Sequence, residues 1–313
     1  MLRRSLNLAR RPTRALAAVP ALALSVLIAG CQPSASQRTE ANTVVGVGAT
    51  FPAPLYTRWA QQWRTASGVS VNYQGIGSGG GIKQILAKTA DFGASDKPLT
   101  PDQLGPPGLY QFPTVVGGVT PIVNVPGVGP GQLKLTGALL GDIYLGAVMR
   151  WNDPRIAVLN PGLKLPDKAI AVVHRSDGSG TTFLFTTYLS QANSTWKAKV
   201  GANDALAWPN GMAAKGNGGV AVSVRQTVGA IGYVEYAYAR HADLAVVQLQ
   251  NHDGAFVAPT PEGFAAAVAD ADWAKSPGND VLLIDQPGAS TWPITGATFI
   301  LIYKQPPQPA KTR

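Results

Sequence analysis

Short apolar runs alternate with amphipathic stretches along this 313-residue chain, and this alternation constrains its fold more than any other feature. Val69–Tyr73 and Ala169–Val173 are apolar runs of strand length, whereas Leu55, Trp59 and Trp63 recur at helical spacing. Strands separated by helices predict βαβ units around a mainly parallel sheet. We therefore expect an α/β protein, and its 35 glycines and 25 prolines indicate many loops rather than a helical bundle.

Further runs of the same kind extend this pattern along the chain. The expected strands are Val44–Val47, Phe92–Ala94, Val115–Val125, Ala230–Val234 and Thr298–Tyr303. The expected helices are Phe51–Trp63, Ile82–Leu86, Thr181–Leu189, Phe264–Ala274 and one from Leu139 that includes Val148 and Met149. Val115–Val125 has two central glycines, which suits a strand that passes from one lobe of a protein to another. We find no internal repeat.

The N-terminus has the pattern of an export signal and is set aside before the fold is considered. Residues 1–30 hold five arginines and no acidic residue, and their apolar run from Ala15 to Ala29 is short for a transmembrane helix. The run leads into Cys31, the only cysteine of the chain. An exported protein seldom keeps a thiol without a disulfide partner. The pattern resembles a bacterial lipoprotein signal with Cys31 lipidated; the alternative is an ordinary signal peptide with a chance cysteine.

The segment after the cysteine is polar and has no apolar periodicity. We expect residues 31–43 to form a flexible tether. Gln32 stands where some lipoproteins carry an aspartate that retains them at the inner membrane, which slightly favours the outer membrane. The remaining chain, from Val44 onward, is long enough for one large domain or two smaller ones.

The formal charge of +9 overstates how basic the folded part is. Five of these charges are leader arginines and three lie in the last ten residues, which leaves a core charge near +1. Such a core carries no electrostatic footprint for nucleic acid. Apart from Cys31, the chain offers only His174, His241 and His252 as soft ligands, so we expect no zinc or iron site and no cofactor.

Three segments share one local design, in which a strand ends, a turn rich in glycine or hydroxyl groups follows, and a helix begins. They are residues 46–52 with Thr50, residues 75–81 with Ser78, and residues 175–182 with Ser179, and we expect each hydroxyl residue to be a helix N-cap. A helix N-terminus has unpaired N–H groups and a partial positive charge, so it can bind an oxyanion. One such turn is usually only a capped helix, but three in one chain predict a shared anion site.

Two charged residues define the chemistry of that site further. Arg175 carries the planar fork of donors that matches phosphate or carboxylate, and Asp177 is placed to orient it or to form a simple Asx turn. Asp96 would be unfavourable beside a fully ionised anion, because an ionised carboxylate can only accept hydrogen bonds. It would instead favour an anion that keeps a proton, as phosphate does at neutral pH and sulfate does not.

The segments GVGATFPAPLY, YQGIGSGGG, DFGASD, FPTVVGG, RSDGSGTTF and GAIGYVEYAYA occur in this order between Val45 and Tyr303. Together they resemble the periplasmic phosphate-binding proteins of ABC phosphate importers. The resemblance implies a two-lobed periplasmic-binding-protein fold of type II that closes on phosphate by a hinge motion. It also implies a set of phosphate ligands, which are Thr50, Phe51 (through its backbone N–H), Ser78, Asp96, Arg175, Ser179, Gly180 and Thr181, with Asp177 paired to Arg175.

The same resemblance implies a location, partners and a division into lobes. It implies a monomeric periplasmic protein, anchored only through its N-terminal lipid, that delivers phosphate to an ABC permease of two membrane subunits and an ATPase. We expect residues 44–118 and 297–313 to form lobe 1 and residues 119–296 to form lobe 2. The family usually continues with helices after the strand at Thr298–Tyr303, so either lobe 1 is smaller in this protein or the sequence is truncated. We expect exposed apolar surface on lobe 1.

Three other functions are weighed against this one. A phosphatase or esterase would place His174 beside Ser176 or Ser179, but the chain has neither a G-x-S-x-G elbow at Ser179 nor a phosphate-binding P-loop motif. A binding protein for sulfate or molybdate is disfavoured by Asp96, whereas arsenate is harder to exclude because it is also protonated. An adhesin would need a surface patch, but we expect aromatic residues such as Trp59 and Trp63 to lie in the core.

Overall fold

The computed structural model describes residues 43–269, 271, 273, 276 and 278–305. The expected signal peptide (residues 1–30), the lipidation site at Cys31 and all of the expected tether except Thr43 lie outside the described residues. Within the described ranges, no helix combines the length and the apolar character that crossing a bilayer requires.

Strands and helices alternate along much of the chain, as the sequence pattern predicts. The strands are β1 (Thr43–Gly48), β2 (Ser70–Gly75), β3 (Phe92–Ser95), β4 (Leu109–Asn124), β5 (Lys134–Leu135), β6 (Ala171–Arg175), β7 (Met212–Ala214), β8 (Ala230–Glu235), β9 (Ala245–Val246), β10 (Gln248–Gln250), β11 (Phe256–Val257) and β12 (Thr295–Tyr303). The helices are α1 (Ala53–Ser67), α2 (Ser78–Leu86), α3 (Pro101–Leu104), α4 (Gly137–Leu145), α5 (Pro154–Ala157), α6 (Gly180–Ala192), α7 (Ser194–Lys199), α8 (Gly216–Gln226), α9 (Tyr236–His241) and α10 (Pro261–Ala269).

Most of these strands join one mixed sheet in the order β2-β1-β3-β12-β4-β8-β6-β7, with β9 also pairing to β4. β1 runs parallel to β2 and β3, and β6 runs parallel to β7 and β8. We call β1–β3 with α1 and α2 the first half, and β6–β8 with α4–α9 the second half. In parallel strands all carboxyl ends lie at one edge of the sheet, so the turns that follow them lie close together.

Strand β4 carries the sheet from one half to the other. Its residues Leu109–Gly118 pair with β12, and its residues Val119–Asn124 pair with β8. The buried Trp292 donates from its indole nitrogen to the carbonyl of Val119 at 3.0 Å, next to the change of partner. The expected crossing strand is therefore present, although it begins six residues earlier than the apolar run indicates.

The largest apolar core lies mainly in the second half, and a smaller one lies in the first half. The larger one, in the second half, includes the fully buried Trp151 and Trp196, with Tyr144 and Phe185 between α4 and α6. A smaller core of the first half consists of Ile85, Leu99, Leu104, Leu109 and Leu301. The first half thus depends on fewer buried side chains than the second.

An apolar groove of about 310 Å³ lies on the outer face of the first half. Its lining includes Trp59 and Trp63 of α1, Val71 and Tyr73 of β2, and Phe92 of β3, and the two tryptophans are 44% and 54% exposed. The expectation that these two tryptophans belong to the core is therefore wrong. Their helical spacing correctly predicts an apolar face of α1, but that face is only partly covered.

Two expected helices end earlier than their apolar patterns. α4 ends at Leu145 because Gly146 adopts a left-handed conformation with φ of 77° and caps it. Val148 and Met149 therefore lie outside this helix, and Met149 is 68% exposed. α10 spans Pro261–Ala269, three residues earlier at its start and five at its end than the expected Phe264–Ala274.

Candidate functional site

Turns from both halves of the sheet meet at one place, which we call the cleft. The turns after β1, β2 and β3 face the turns after β6 and β7 across it. Gly79 donates its backbone N–H to the carbonyl of Gly178 at 3.0 Å, and Gly180 donates its own to Ser78 Oγ at 3.0 Å. The three turns expected to share an anion site therefore do lie together.

Arg175 is the last residue of β6, and its guanidinium lies buried at the cleft with a side chain that is 1% exposed. Its Nε and Nη2 donate to the two carboxylate oxygens of Asp177 at 2.7 and 2.5 Å. Its Nη1 is buried and has no hydrogen-bond partner among the residues that the structure describes. A buried guanidinium nitrogen without a partner is costly, so this atom requires an acceptor that the described chain does not supply.

Asp177 is held as an ionised partner of that guanidinium. Burial alone would raise the pKa of Asp177, but the hydrogen bonds and positive charge of Arg175 outweigh it and lower this pKa below the usual range. The backbone N–H of Gly216 also donates to its Oδ1 at 3.0 Å. Asp177 thus orients Arg175 as expected, and it also ties the turn after β6 to the start of α8.

Asp96 follows β3 and is 1% exposed. Burial raises its pKa to about 7, although the hydroxyl of Thr298 and the charge of Arg175 act in the opposite direction. The Thr298 hydroxyl donates to Asp96 Oδ1 at 2.7 Å. A carboxyl group with such a pKa can accept a proton from a ligand or hold one itself near neutral pH.

Ser78 is at the cleft but is not the N-cap of its helix. That position belongs to Gly77, and Ser78 is the first residue of α2. Its Oγ accepts two backbone N–H groups, from Asp96 at 3.2 Å and from Gly180 at 3.0 Å. The hydroxyl therefore joins a turn of the first half to the start of α6 in the second half. The expected helix cap at Ser78 is wrong, because its hydroxyl oxygen accepts these tertiary hydrogen bonds instead of capping α2.

The start of α6 is built as the sequence predicts. Ser179 is its N-cap and accepts the backbone N–H of Thr182 at 3.1 Å. Gly180 packs directly on Asp96, and a Cβ there would lie 2.4 Å from the Cβ of Asp96. Thr181 is fully buried. Glycine is thus required at position 180 to bring the first turn of α6 against the carboxyl group.

Thr50 and Phe51 form the turn after β1, and here too the expected N-cap is wrong. Pro52 holds the N-cap position of α1, and it makes no side-chain cap. The carbonyl of Thr50 accepts the hydroxyl of Tyr238 at 2.7 Å, so this turn is fixed to the second half. Phe51 is 2% exposed and its ring belongs to the larger apolar core.

Asn217 is a cleft residue that the sequence reasoning missed. It lies in the first turn of α8, is fully buried, and contacts the hydroxyls of both Thr50 and Thr181. The strand before it, β7, is only three residues long, and no serine or threonine precedes the helix. The one available signal is Lys215-Gly216-Asn217, a glycine turn between an apolar segment and a helical pattern.

His174 adjoins Arg175 in the sequence but serves the packing of β6. Its ring stacks on Trp208 with 4.7 Å between centroids, and its Nδ1 lies 3.1 Å from the carbonyl of Arg175. Burial lowers the pKa of His174 below its usual value. Among the described residues, no group of three or more His, Cys, Asp or Glu side chains is arranged to hold a metal.

Comparison with known proteins agrees with this geometry. Residues 33–312 match the PBP superfamily domain. The chain is 51% identical to the phosphate-binding protein PstS of Pasteurella multocida over 88% of this chain and 80% of that protein. It is 50% identical to the PstS of Haemophilus influenzae over 92% of this chain and 85% of that protein.

A solved structure supports the fold independently. It is that of a high-affinity periplasmic phosphate-binding protein bound with phosphate, and it matches with a TM-score of 0.63 at 21% identity, over 83% of this chain and 80% of that one. This similarity shows the two-lobed periplasmic-binding-protein fold, and the identities above show the closer relationship. The chain belongs to the PstS family of phosphate-binding proteins.

Proposed function

We propose that this protein binds inorganic phosphate in the cleft and delivers it to an ABC phosphate importer. The single observation that carries the proposal is the buried Nη1 of Arg175, which has no partner among the described residues. The pairing of Nε and Nη2 with Asp177 fixes the orientation of the planar guanidinium and therefore the position of Nη1. An anionic oxygen at this position would complete a charge-assisted hydrogen bond in a site shielded from water.

The groups around Arg175 support an anion that carries a proton. We propose that Thr50, Ser78, Ser179 and Thr181 contribute hydroxyl donors and that Phe51 and Gly180 contribute backbone N–H groups. Asp96 supplies an acceptor with a pKa of about 7. An HPO₄²⁻ ion with protonated Asp96 and an H₂PO₄⁻ ion with ionised Asp96 hold the same number of protons, so either pairing satisfies the site.

The transport role rests on the relatives, which are named as phosphate-binding proteins PstS. We propose the expected partner, a permease of two membrane subunits and an ATPase, with this protein acting as a monomer and without catalysis. We propose residues 44–118 with 297–313 as lobe 1 and residues 119–296 as lobe 2. The change of partner along β4, between Gly118 and Val119, supports that boundary.

We propose that the protein is periplasmic and is anchored through a lipid on Cys31. The basic and apolar leader that ends at the only cysteine supports this location. Mass spectrometry of the protein purified from membranes would test it: a diacylglyceryl adduct on an N-terminal Cys31 supports the anchor, and an unmodified thiol contradicts it.

Calorimetric titration of the purified protein with phosphate, arsenate and sulfate tests the binding function. We expect tight binding of phosphate, weaker or comparable binding of arsenate, and no binding of sulfate at pH 8. The absence of phosphate binding, or equal binding of sulfate at this pH, would contradict the proposal. A stoichiometric incubation with a chromogenic phosphate ester tests catalysis, and release of more than one equivalent of product would show an enzyme.

A further inference from the structure

Asn217 joins three separate segments of the chain at the cleft. Its side-chain Oδ1 accepts the backbone N–H of Glu235 at 3.0 Å. A backbone N–H can only donate, so this bond identifies the oxygen of the amide, and the other terminal atom must be the nitrogen. Nδ2 donates to Thr50 Oγ1 at 2.9 Å and to Thr181 Oγ1 at 3.3 Å. The two amide protons thus reach one hydroxyl on each side of the cleft.

The hydroxyl of Thr50 receives a second hydrogen bond from the same residue. The backbone N–H of Asn217 donates to Thr50 Oγ1 at 3.2 Å. A threonine hydroxyl has two acceptor lone pairs and one proton. Both lone pairs of Thr50 are therefore occupied by Asn217, and the only capacity left to this hydroxyl is the donation of its proton. Thr181 receives one bond, which likewise favours donation.

We infer that Asn217 is a positioning residue that makes the hydroxyls of Thr50 and Thr181 donors toward the bound anion. This inference rests on the proposed function. Asn217 acts through the two threonines and not by contact with the anion.

The consequence for the ligand is an orientation. The Thr50 hydroxyl can only donate and the Thr181 hydroxyl is biased toward donation, so both suit unprotonated oxygens of the anion. Among the cleft groups described above, the Asp96 carboxylate is the acceptor suited to the protonated oxygen of the anion. Asn217 would thereby fix which oxygen of phosphate carries the proton, because it leaves the two threonine hydroxyls as donors toward the anion.

The test combines a substitution at Asn217 with substitutions of the threonines through which it acts. Phosphate affinity is measured by calorimetry for the wild type, Asn217→Ala, the double variant Thr50→Val/Thr181→Val, and the triple variant. We expect Asn217→Ala alone to weaken phosphate binding about tenfold or more. In the variant without the two hydroxyls, we expect the same substitution to cost less than about twofold, because nothing remains for the amide to position.

Asn217→Asp provides a second measurement. It keeps the size of the side chain and an acceptor for Glu235, but replaces the donating nitrogen by an oxygen that would accept the threonine protons. We expect it to weaken phosphate binding more than Asn217→Ala does. If Asn217→Asp fails to fold, as its thermal melt would show, the cycle with Asn217→Ala still decides the question.

Asn251→Ala is the matched control. Asn251 is also a buried amide, but among the described residues its side chain bonds to backbone groups, including the carbonyls of Gly288 and Ala289. We expect it to lower the melting temperature without changing phosphate affinity. Equal losses from Asn217→Ala with and without the threonine hydroxyls would overturn the inference and leave the proposed function intact. A wild type that binds no phosphate would overturn both.

Discussion

Arg175 and Asp96 place opposite charges at the same buried site, and each limits what the other can bind. Arg175 has one nitrogen left for an anion after its pairing with Asp177. Asp96 is buried deeply enough for its pKa to rise to about 7. A ligand at this site must therefore offer an anionic oxygen to the first residue and share a proton with the second.

Replacement of Arg175 by alanine tests the first requirement. We expect phosphate binding to weaken at least tenfold, because a hydrogen bond to a charged group contributes about 1.5–3 kcal/mol. Calorimetry measures the change, and a thermal melt checks folding, since Asp177 loses its partner. Arg155→Ala is the control, because Arg155 pairs with Asp153 on the surface with a side chain that is 49% exposed. Unchanged affinity in Arg175→Ala would contradict the proposed site.

The pKa of Asp96 predicts how selectivity depends on pH. Above pH 7 the carboxyl group is mainly ionised and repels sulfate, which has no proton to share. Below pH 7 it is mainly protonated and can donate to a sulfate oxygen, so we expect sulfate affinity to rise as the pH falls from 8 to 6. Competition titrations across this range measure the effect. Asp96→Asn should bind sulfate with little pH dependence, and a wild-type profile that is equally flat would exclude this role.

At the level of the elements, the cleft is made by strand ends and the helix starts that follow them. Parallel pairing of β1 with β2 and β3 brings three of these turns to one edge, and α6 and α8 begin on the opposite side. The start of α6 lies against the turn after β3, as the packing of Gly180 on Asp96 shows. Small changes in backbone position at these turns will therefore alter the site directly.

Gly180→Ala tests how closely the elements must approach. The added Cβ would lie 2.4 Å from the Cβ of Asp96 and 2.7 Å from its backbone nitrogen, so the start of α6 would have to move. We expect phosphate binding to weaken by about tenfold or more and the free energy of unfolding to fall by about 1–3 kcal/mol. Gly218→Ala, within α8, is the control, because its Cβ would meet no atom closer than 3.9 Å. Calorimetry and thermal melts compare the two.

The sequence predicts some of these elements well and others poorly, for identifiable reasons. The strand before each glycine turn and the cap at Ser179 follow from local patterns, and the structure contains them. The caps expected at Thr50 and Ser78 are wrong, because both hydroxyls bond to residues distant in the chain. Asn217 was missed since its contacts are set by the pairing of β6 with β7, which no local pattern encodes.

At the scale of the whole molecule, an ion pair is among the polar contacts that hold the two sides of the cleft together. Lys97, after β3, donates to Asp204 Oδ1 at 2.7 Å and to Asn203 Oδ1 at 3.1 Å on the opposite side. The side chains of this ion pair are 30% and 20% exposed, so water screens it only in part. We expect this ion pair to stabilise the contact between the two sides of the cleft modestly.

Lys97→Met tests this contribution. We expect phosphate to dissociate about twofold to fivefold faster, and the salt dependence of dissociation to become smaller, because an exposed pair contributes about 1 kcal/mol or less. Stopped-flow dissociation at two ionic strengths measures both quantities. Arg150→Met is the control, since Arg150 pairs with Asp167 on the surface of the second half, where the two side chains are 54% and 66% exposed. Equal dissociation rates for Lys97→Met and the wild type would contradict the role.

Strand β4 pairs with β12 along its first part and with β8 along its second part, and this limits how the protein can be divided into fragments. A fragment that ends at Gly118 would contain β3 and the first part of β4 but would lack β12, which lies between them in the sheet. Both strands would then present open edges, which favour aggregation. A single cut in the gene would therefore not separate the two proposed lobes as independently folding fragments.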